Sequence, residues 1–238
     1  TSHSTISIMN DKLKTYNFLK KNNINTPFYK KISRKKELLS EIKRSLLLYN
    51  EIVIKPSNAR GGRNVFIISN KIKKYKIHND RREIITDLNS FIKYFQKKLN
   101  GSYPLILMER LVEPVYDLDM LAWNGKSIAV VPRRRFNSAV PNDGHLIVSN
   151  QNLIKLGEKI INILNLSWLY ECDIMFDEFG KPHILEINPR PSGSFVVCLY
   201  AGMPIIERLI DLSLGKKIRK LKIPYNKRII PYKNLYII

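Results

Sequence analysis

Apolar positions in this chain recur at two spacings, and the switches between them mark out its elements. A helical spacing starts behind Asp11, a side chain suited to capping, and runs to about Asn22 with Leu13, Tyr16 and Leu19 on one face. Asn23 to Pro27 breaks it, and Phe28–Ile32 reads as a strand. Ser33 is then predicted to cap a helix carrying Leu38, Leu39, Ile42 and Leu46. Short β-branched runs follow at Glu51–Lys55 and Asn64–Ser69, separated by a glycine-containing turn. A helix is expected from about Asp87 to Leu99, with Leu88, Phe91, Ile92 and Phe95 inward, and a strand from Tyr103 to Arg110.

The second half alternates more strictly. Strands are predicted near Tyr116–Trp123 and Lys126–Arg135, joined by Asn124-Gly125, the residue pair that a two-residue hairpin turn demands. His145–Val148 is a further short strand. Gln151–Leu164 has the apolar face of a helix in Leu153, Ile154, Leu156, Ile160, Ile161 and Leu164. Trp168–Asp177 and Lys181–Pro189 form a second hairpin about the turn Asp177-Glu178-Phe179-Gly180. Two short helices lead to Gly215, and a basic tail returns as one or two edge strands. Hairpins with helices laid against them predict an α+β fold of two lobes, residues 1–107 and 108–238.

Composition bounds this picture without changing it. The chain has 238 residues, 44% hydrophobic and 26% charged, as in an ordinary soluble protein with a core of normal size. Apolar runs such as Leu105–Met108 are far too short to cross a bilayer, and no signal-peptide pattern opens the chain, so the expectation is cytoplasmic. The first residue is Thr1, which suggests a processed or trimmed product. Cys172 and Cys198 sit in apolar stretches and read as reduced, buried thiols; no Cys or His pair has zinc-ligand spacing. The net charge of +21 suits phosphate-bearing ligands, but the lysines are spread along the chain rather than set among aromatic stacking platforms. Lysine, asparagine and isoleucine are abundant together, as AT-rich coding favours. A nucleic-acid partner is therefore the weaker reading.

Three segments carry candidate chemistry. In Lys181–Pro189 side chains alternate, so Glu186 and Asn188 share a face roughly 7 Å apart along the strand. Asp173 stands between apolar Cys172 and Ile174 on the preceding strand, and pairing can bring it beside them. Two carboxylates and an amide oxygen make a hard donor set suited to Mg²⁺. The bland alternative is a solvent-facing sheet surface. Arg190 follows Pro189 and places a fork of donors where a phosphate could sit. The second segment is Val53-Ile54-Lys55-Pro56 with the loop Arg60-Gly61-Gly62-Arg63-Asn64: an ammonium at a strand end and glycines that let backbone approach a polyphosphate, although the Walker pattern is absent. A long hairpin turn would look similar. The third is Met108-Glu109-Arg110-Leu111, whose backbone could read an adenine edge or merely form a hinge.

Taken in order, Asn10-Asp11-Lys12, Ile24–Pro27, Val53–Pro56 with its glycine loop, Met108–Leu111, and Asp173 through Glu186-Ile187-Asn188-Pro189-Arg190 resemble the ATP-grasp superfamily, particularly its carbamoyl-phosphate-synthase-like and carboxylate–amine ligase members. These stretches span nearly the whole chain. The resemblance implies an ATP-grasp fold that holds ATP between its lobes, with Lys12 and Lys55 on the phosphates and the Arg60, Gly61, Gly62 loop closing over them. Adenine would lie against Glu109, Arg110 and Leu111. Asp173, Glu186 and Asn188 would hold one or two Mg²⁺, with Mn²⁺ as a substitute. Arg190 and Lys55 would serve as the catalytic cations. Arg133 and Arg135, on one face of the Val131–Arg135 strand, fall where such enzymes bind the acceptor; a plain basic edge strand is the alternative. The family's acidic ribose contact falls near Val115, flanked by Glu113 and Asp117, and Asp117 is taken as a nucleotide candidate.

The implied activity is that of a carbon–nitrogen ligase: ATP phosphorylates a small-molecule carboxylate, and an amine displaces phosphate from the acyl phosphate. No Ser-His-Asp arrangement is present to suggest a protein nucleophile. Members usually carry a further α/β domain before the Asp-Lys helix, so another domain or chain is an expected partner, and a homodimer is compatible. The competing readings are a silent ATP-binding or regulatory module and, further off, a basic nucleic-acid-binding protein.

Overall fold

The computed structural model describes residues 1–58, 63–76 and 83–232. They divide into two compact units, Asp11–Val112 and a second made of Thr1–Asn10 with Glu113–Ile238. The division therefore falls five residues past the expected one, for a local reason. The strand ending at Glu109 is paired through its last residue to the first sheet, with Glu109 opposite Ile52.

In the unit Asp11–Val112, helix α2 (Lys12–Lys21) begins where the Asp11 side chain accepts the backbone N–H groups of Leu13 and Lys14. Strand β1 (Tyr29–Ile32), helix α3 (Lys35–Leu48), and strands β2 (Glu51–Pro56), β3 (Phe66–Ser69), β4 (Ile84–Thr86) and β5 (Leu105–Glu109) follow. The sheet order is β1-β5-β2-β3-β4, antiparallel except for the β3–β4 pair. Ile52 and Ile54 alternate with Glu51, Val53 and Lys55, and the isoleucines enter a core with Leu38, Ile42, Phe66, Ile68, Phe91 and Leu107. The expected helix Asp87–Leu99 is present but irregular: an α-turn at α4 (Leu88–Ser90), π at Phe91–Phe95, 3-10 at Gln96–Leu99. Phe91 and Phe95 both pack on Phe66. Ser33 does not cap α3; its preceding residue is Arg34, without a side-chain cap.

The second unit opens with helix α1 (His3–Met9), absent from the predicted elements because only one of its residues is buried. Thr1 Oγ1 meets the carbonyl oxygen of Ser167 at 3.2 Å, and Thr5 Oγ1 that of Leu164 at 3.4 Å, which ties the N-terminus to this unit. Its sheet has the order β10-β9-β6-β7-β8-β11, from β6 (Val112–Trp123), β7 (Lys126–Arg135), β8 (His145–Ile147), β9 (Trp168–Phe176), β10 (Pro182–Asn188) and β11 (Arg228–Ile229). The β6–β7 hairpin turns at Asn124 and Gly125, with φ of 48° and 72°, the left-handed geometry that selects those two residues. Helix α5 (Gln151–Ile163) lies on β7. A Cβ on Gly157 would stand 2.6 Å from Val130 Cγ1, so only glycine permits this approach. Helices α6 (Val196–Tyr200) and α7 (Ile205–Ser213) cover a core that includes Leu121, Val131, Ile147 and Cys198. Cys172 and Cys198 are both buried free thiols.

Candidate functional site

One face of the second sheet carries charge where a core would ordinarily be apolar. Asp117 and Asp119 extend from β6, Arg133 and Arg135 from β7, His145 from β8, Glu171 and Asp173 from β9, and Glu186 and Asn188 from β10. The sequence reading anticipates Asp173, Glu186 and Asn188, and strand register explains how they meet. Ile184 pairs with Ile174, a bulge follows, and then Glu186 pairs with Asp173 and Asn188 with Glu171. Asn188 Nδ2 donates to Glu171 Oε2 at 2.7 Å and to Glu186 Oε1 at 3.2 Å. Glu171 itself is only 2% exposed, and its second oxygen has no hydrogen-bond partner. Sequence reasoning missed Glu171. The available signal was its shared parity with Asp173, two residues apart on the same strand face.

The two arginines bind inside the protein. Arg133 is fully buried: Nε donates to Asp119 Oδ2 at 2.6 Å, Nη2 to Ser192 Oγ at 3.0 Å and Nη1 to Ser194 Oγ at 3.1 Å. This corrects the expectation of an open fork for an acceptor carboxylate. Arg133 instead pins the loop that follows Arg190. Arg135 is mostly buried; Nε meets both oxygens of Asp117 at 2.9 and 3.1 Å, and Nη2 meets Asp117 and, at 2.5 Å, Asp173 Oδ1. Asp117, taken as a nucleotide candidate, is likewise enclosed, with His145 Nε2 2.9 Å from Oδ2. A fully buried carboxylate held from three sides cannot reach a ribose, whereas Glu113 nearby is exposed.

The electrostatics are unbalanced. Five carboxyl groups (Asp117, Asp119, Glu171, Asp173, Glu186) share this face with two guanidinium groups. Burial works against ionising Asp117, but hydrogen bonds from His145 and Arg135 and the charges of both arginines overcome it, and its pKa falls well below the usual carboxylate range. Burial lowers the pKa of His145, and the nearby arginines add to that. Glu171 is pushed far up, first by burial and then by the charge of Asp173. Asp173 rises to about 6, because burial and the charges of Asp117 and Glu186 outweigh Arg135. Carboxylates forced toward protonation in this way are short of positive charge, and a hard divalent cation would relieve them. Asp117, Glu171 and Asp173 each offer an oxygen within 4.8 Å of the other two. Arg135 lies against both Asp117 and Asp173, and the β9–β10 register sets Glu186 and Asn188 beside Asp173 as further oxygen-bearing side chains.

The remaining expected residues lie in the Asp11–Val112 unit, apart from Arg190. Lys55 Nζ is 3.3 Å from Tyr16 Oη and stands over that ring, 5.8 Å from its centre. The backbone N–H of Lys12 donates to the Ser57 carbonyl oxygen at 3.1 Å, so the two lysine segments adjoin. Glu109 Oε1 accepts the backbone N–H of Phe28 at 2.7 Å, and Arg110 donates to Glu51 at 3.0 Å. These two side chains bond to residues of their own unit, and Leu111 is buried. Arg190 is exposed and donates to the Pro191 carbonyl oxygen at 2.8 Å. Arg60, Gly61 and Gly62 lie outside the described residues.

Comparison with known proteins bears on this geometry. Residues 102–235 match the family described as ATP-grasp in the biosynthetic pathway with Ter operon, and residues 9–102 match an ATP-grasp domain. The chain belongs to the ATP-grasp family. Other ATP-grasp proteins resemble it more distantly. The carbamoyl phosphate synthase large chain of Thermoanaerobacter sp. (strain X514) is 22% identical over 244 residues, covering 93% of this chain and 20% of that protein. The same protein of Caldanaerobacter subterraneus subsp. tengcongensis is 28% identical over 99 residues, 41% of this chain and 8% of that one. Among solved structures, the biotin carboxylase domain of the Hydrogenobacter thermophilus 2-oxoglutarate carboxylase, in complex with MgADP, ADP and bicarbonate, superposes with a TM-score of 0.68 at 17% identity. It covers 94% of this chain and 50% of that one. The L-amino acid ligase of Bacillus licheniformis gives 0.61 at 14% identity, over 90% and 50%. This ATP-grasp chain thus spans about a fifth of the first curated relative and half of these solved ones. Among its described residues no helix is long and apolar enough to cross a membrane.

Proposed function

We propose that this chain provides the ATP-binding and metal-binding core of a ligase that activates a carboxylate as an acyl phosphate for attack by an amine. The observation that carries the reading is the β9–β10 hairpin, where Asp173 faces Glu186 and Asn188 lies one step further on the same side. In an ATP-grasp chain that donor set fits Mg²⁺, which would supply charge neutralisation at the phosphate oxygens. Lys55 and Lys12 would bind phosphate oxygens, Arg190 would steady the transferred group, and the backbone at Glu109 and Leu111 would read adenine. Glu113 is the candidate for the ribose. Arg133 and Arg135 would hold the loop after Arg190 and the carboxylate layer rather than contact the acceptor.

Phosphoryl transfer of this kind calls for positioning and electrostatic stabilisation rather than a protein nucleophile. The buried carboxylates and two fixed guanidiniums provide a preorganised frame for it. The test is ADP release from Mg-ATP over a panel of small carboxylates crossed with amines. Turnover is expected with at least one pair, and Glu186→Gln and Lys55→Ala are each expected to abolish it while the protein stays folded. Unchanged turnover in either variant overturns the assignment. Calorimetric Mg-ATP binding with no ADP released across the panel would point to a silent nucleotide-binding module.

A further inference from the structure

Asn188 poses a problem that its ligand role does not solve. A carboxamide has one acceptor oxygen and one donor nitrogen of nearly equal shape, and an unrestrained side chain presents either edge. Only the oxygen can bind a cation. On β10, Asn188 stands opposite Glu171, and Nδ2 reaches Glu171 Oε2 at 2.7 Å and Glu186 Oε1 at 3.2 Å. Both N–H groups of the amide therefore have acceptors on one edge, which leaves Oδ1 on the other.

Glu171 is an odd residue to find there. It is 2% exposed, with Asp173 and Asp117 as close acidic neighbours, and Oε1 has no hydrogen-bond partner. A buried carboxyl in such company destabilises the fold unless it does something else. Leucine or methionine would fill the position at lower cost. Glu171 accepts a short hydrogen bond from Asn188, and whether charged or neutral it keeps an oxygen able to accept it.

We propose that Glu171 is a positioning residue for the metal site: it fixes the Asn188 amide with its oxygen toward the cation. The inference rests on the reading of Asp173, Glu186 and Asn188 as metal ligands. Groups that orient metal ligands from behind typically change metal affinity 10–100-fold when removed. Glu171→Leu should therefore weaken cation binding by about that factor. Glu171→Gln keeps an oxygen acceptor at the same reach and should stay within about threefold of the parent, since the orienting hydrogen bond survives.

The experiment is direct titration of the full chain with Mn²⁺, followed by the electron paramagnetic resonance of the free ion, so that no catalysis is required. Glu171→Met is a second carboxyl-free variant should Glu171→Leu fail to fold, and thermal unfolding checks each protein. Expected are measurable binding by the parent, loss in Glu186→Gln, the stated loss in Glu171→Leu or Glu171→Met, and retention in Glu171→Gln. Parent-like binding by the carboxyl-free variants overturns the role of Glu171 alone. So does an equal loss in Glu171→Gln, which would mean that charge rather than orientation matters. No Mn²⁺ binding by the parent removes the metal reading and this inference together.

Discussion

The two units bury polar groups of different kinds. Among the described residues of Asp11–Val112 the buried polar side chains are Thr15, Ser45, Ser57, Ser69 and Thr86, all uncharged hydroxyls, and the core between α3 and its sheet is aliphatic and aromatic. In the other unit Asp117, Asp119, Arg133, His145, Glu171 and His183 are buried. A charged interior is the costlier construction, since each ion loses its water and recovers the loss only through well-placed partners. The first unit is thus built for stability, with Lys12 and Lys55 only partly buried. The second holds a charged interior at a cost in stability.

The largest effect should come from breaking the charged layer. Asp117→Asn removes the carboxylate shared by Arg135 and His145 and lying near Arg133, and is expected to lower stability by about 3–5 kcal/mol in urea unfolding. If it costs less than 1 kcal/mol, the layer is not what holds this unit. In the apolar unit Ile54→Ala should cost about 3 kcal/mol through a cavity alone, and that cost should not change between pH 5 and 7 or with Mg²⁺.

The pH response sharpens the contrast. Asp173 holds its proton to about pH 6 in the folded protein, against about 4 in the unfolded chain. Between those values the folded state retains a proton that the unfolded state has released, so this group's contribution falls as pH rises and is lost above about 6. His145 has the opposite sign: its folded pKa is lowered, so the unfolded state gains a proton first as pH drops. The measurement is therefore the difference between the parent and Asp173→Asn in chelator. Asp173→Asn should gain stability relative to the parent as pH rises from 5 to 7, and Mg²⁺ should recover the parent alone. No such difference would mean that Asp173 is not short of positive charge. The smallest effect is expected at a surface feature of the first unit: Asp11→Ala removes the cap of α2 and should cost about 1 kcal/mol.

Much of this was legible in the residues themselves. Asn124-Gly125 specified a hairpin because left-handed backbone admits few other pairs, and the alternation about Glu186 and Asn188 gave a shared face. The ordered motifs gave the family. What escaped has physical causes. Arg133 and Arg135 alternate like an exposed basic strand, and nothing local reveals that Asp117, Asp119 and Asp173 wait across the sheet. Glu171 differs from a surface glutamate only in its tertiary surroundings. Helix α1 buries a single residue, so it left no periodic trace. The contacts of Phe91 and Phe95 are with Phe66, which is distant in sequence, and the widened turn between them has no signature in the local pattern.

The irregularity between Ile184 and Glu186 has a consequence for reading related chains. With unbroken pairing from Ile184 and Ile174, Leu185 would face Asp173, and Glu186 would be turned with Cys172 into the apolar side of the sheet. The site therefore depends on how many residues the strand contains as much as on which ones. A relative lacking Leu185 would keep its carboxylate opposite Asp173 with regular pairing, whereas one that kept every residue and lost the irregularity would spell each ligand in order with its carboxylate pointing into oil.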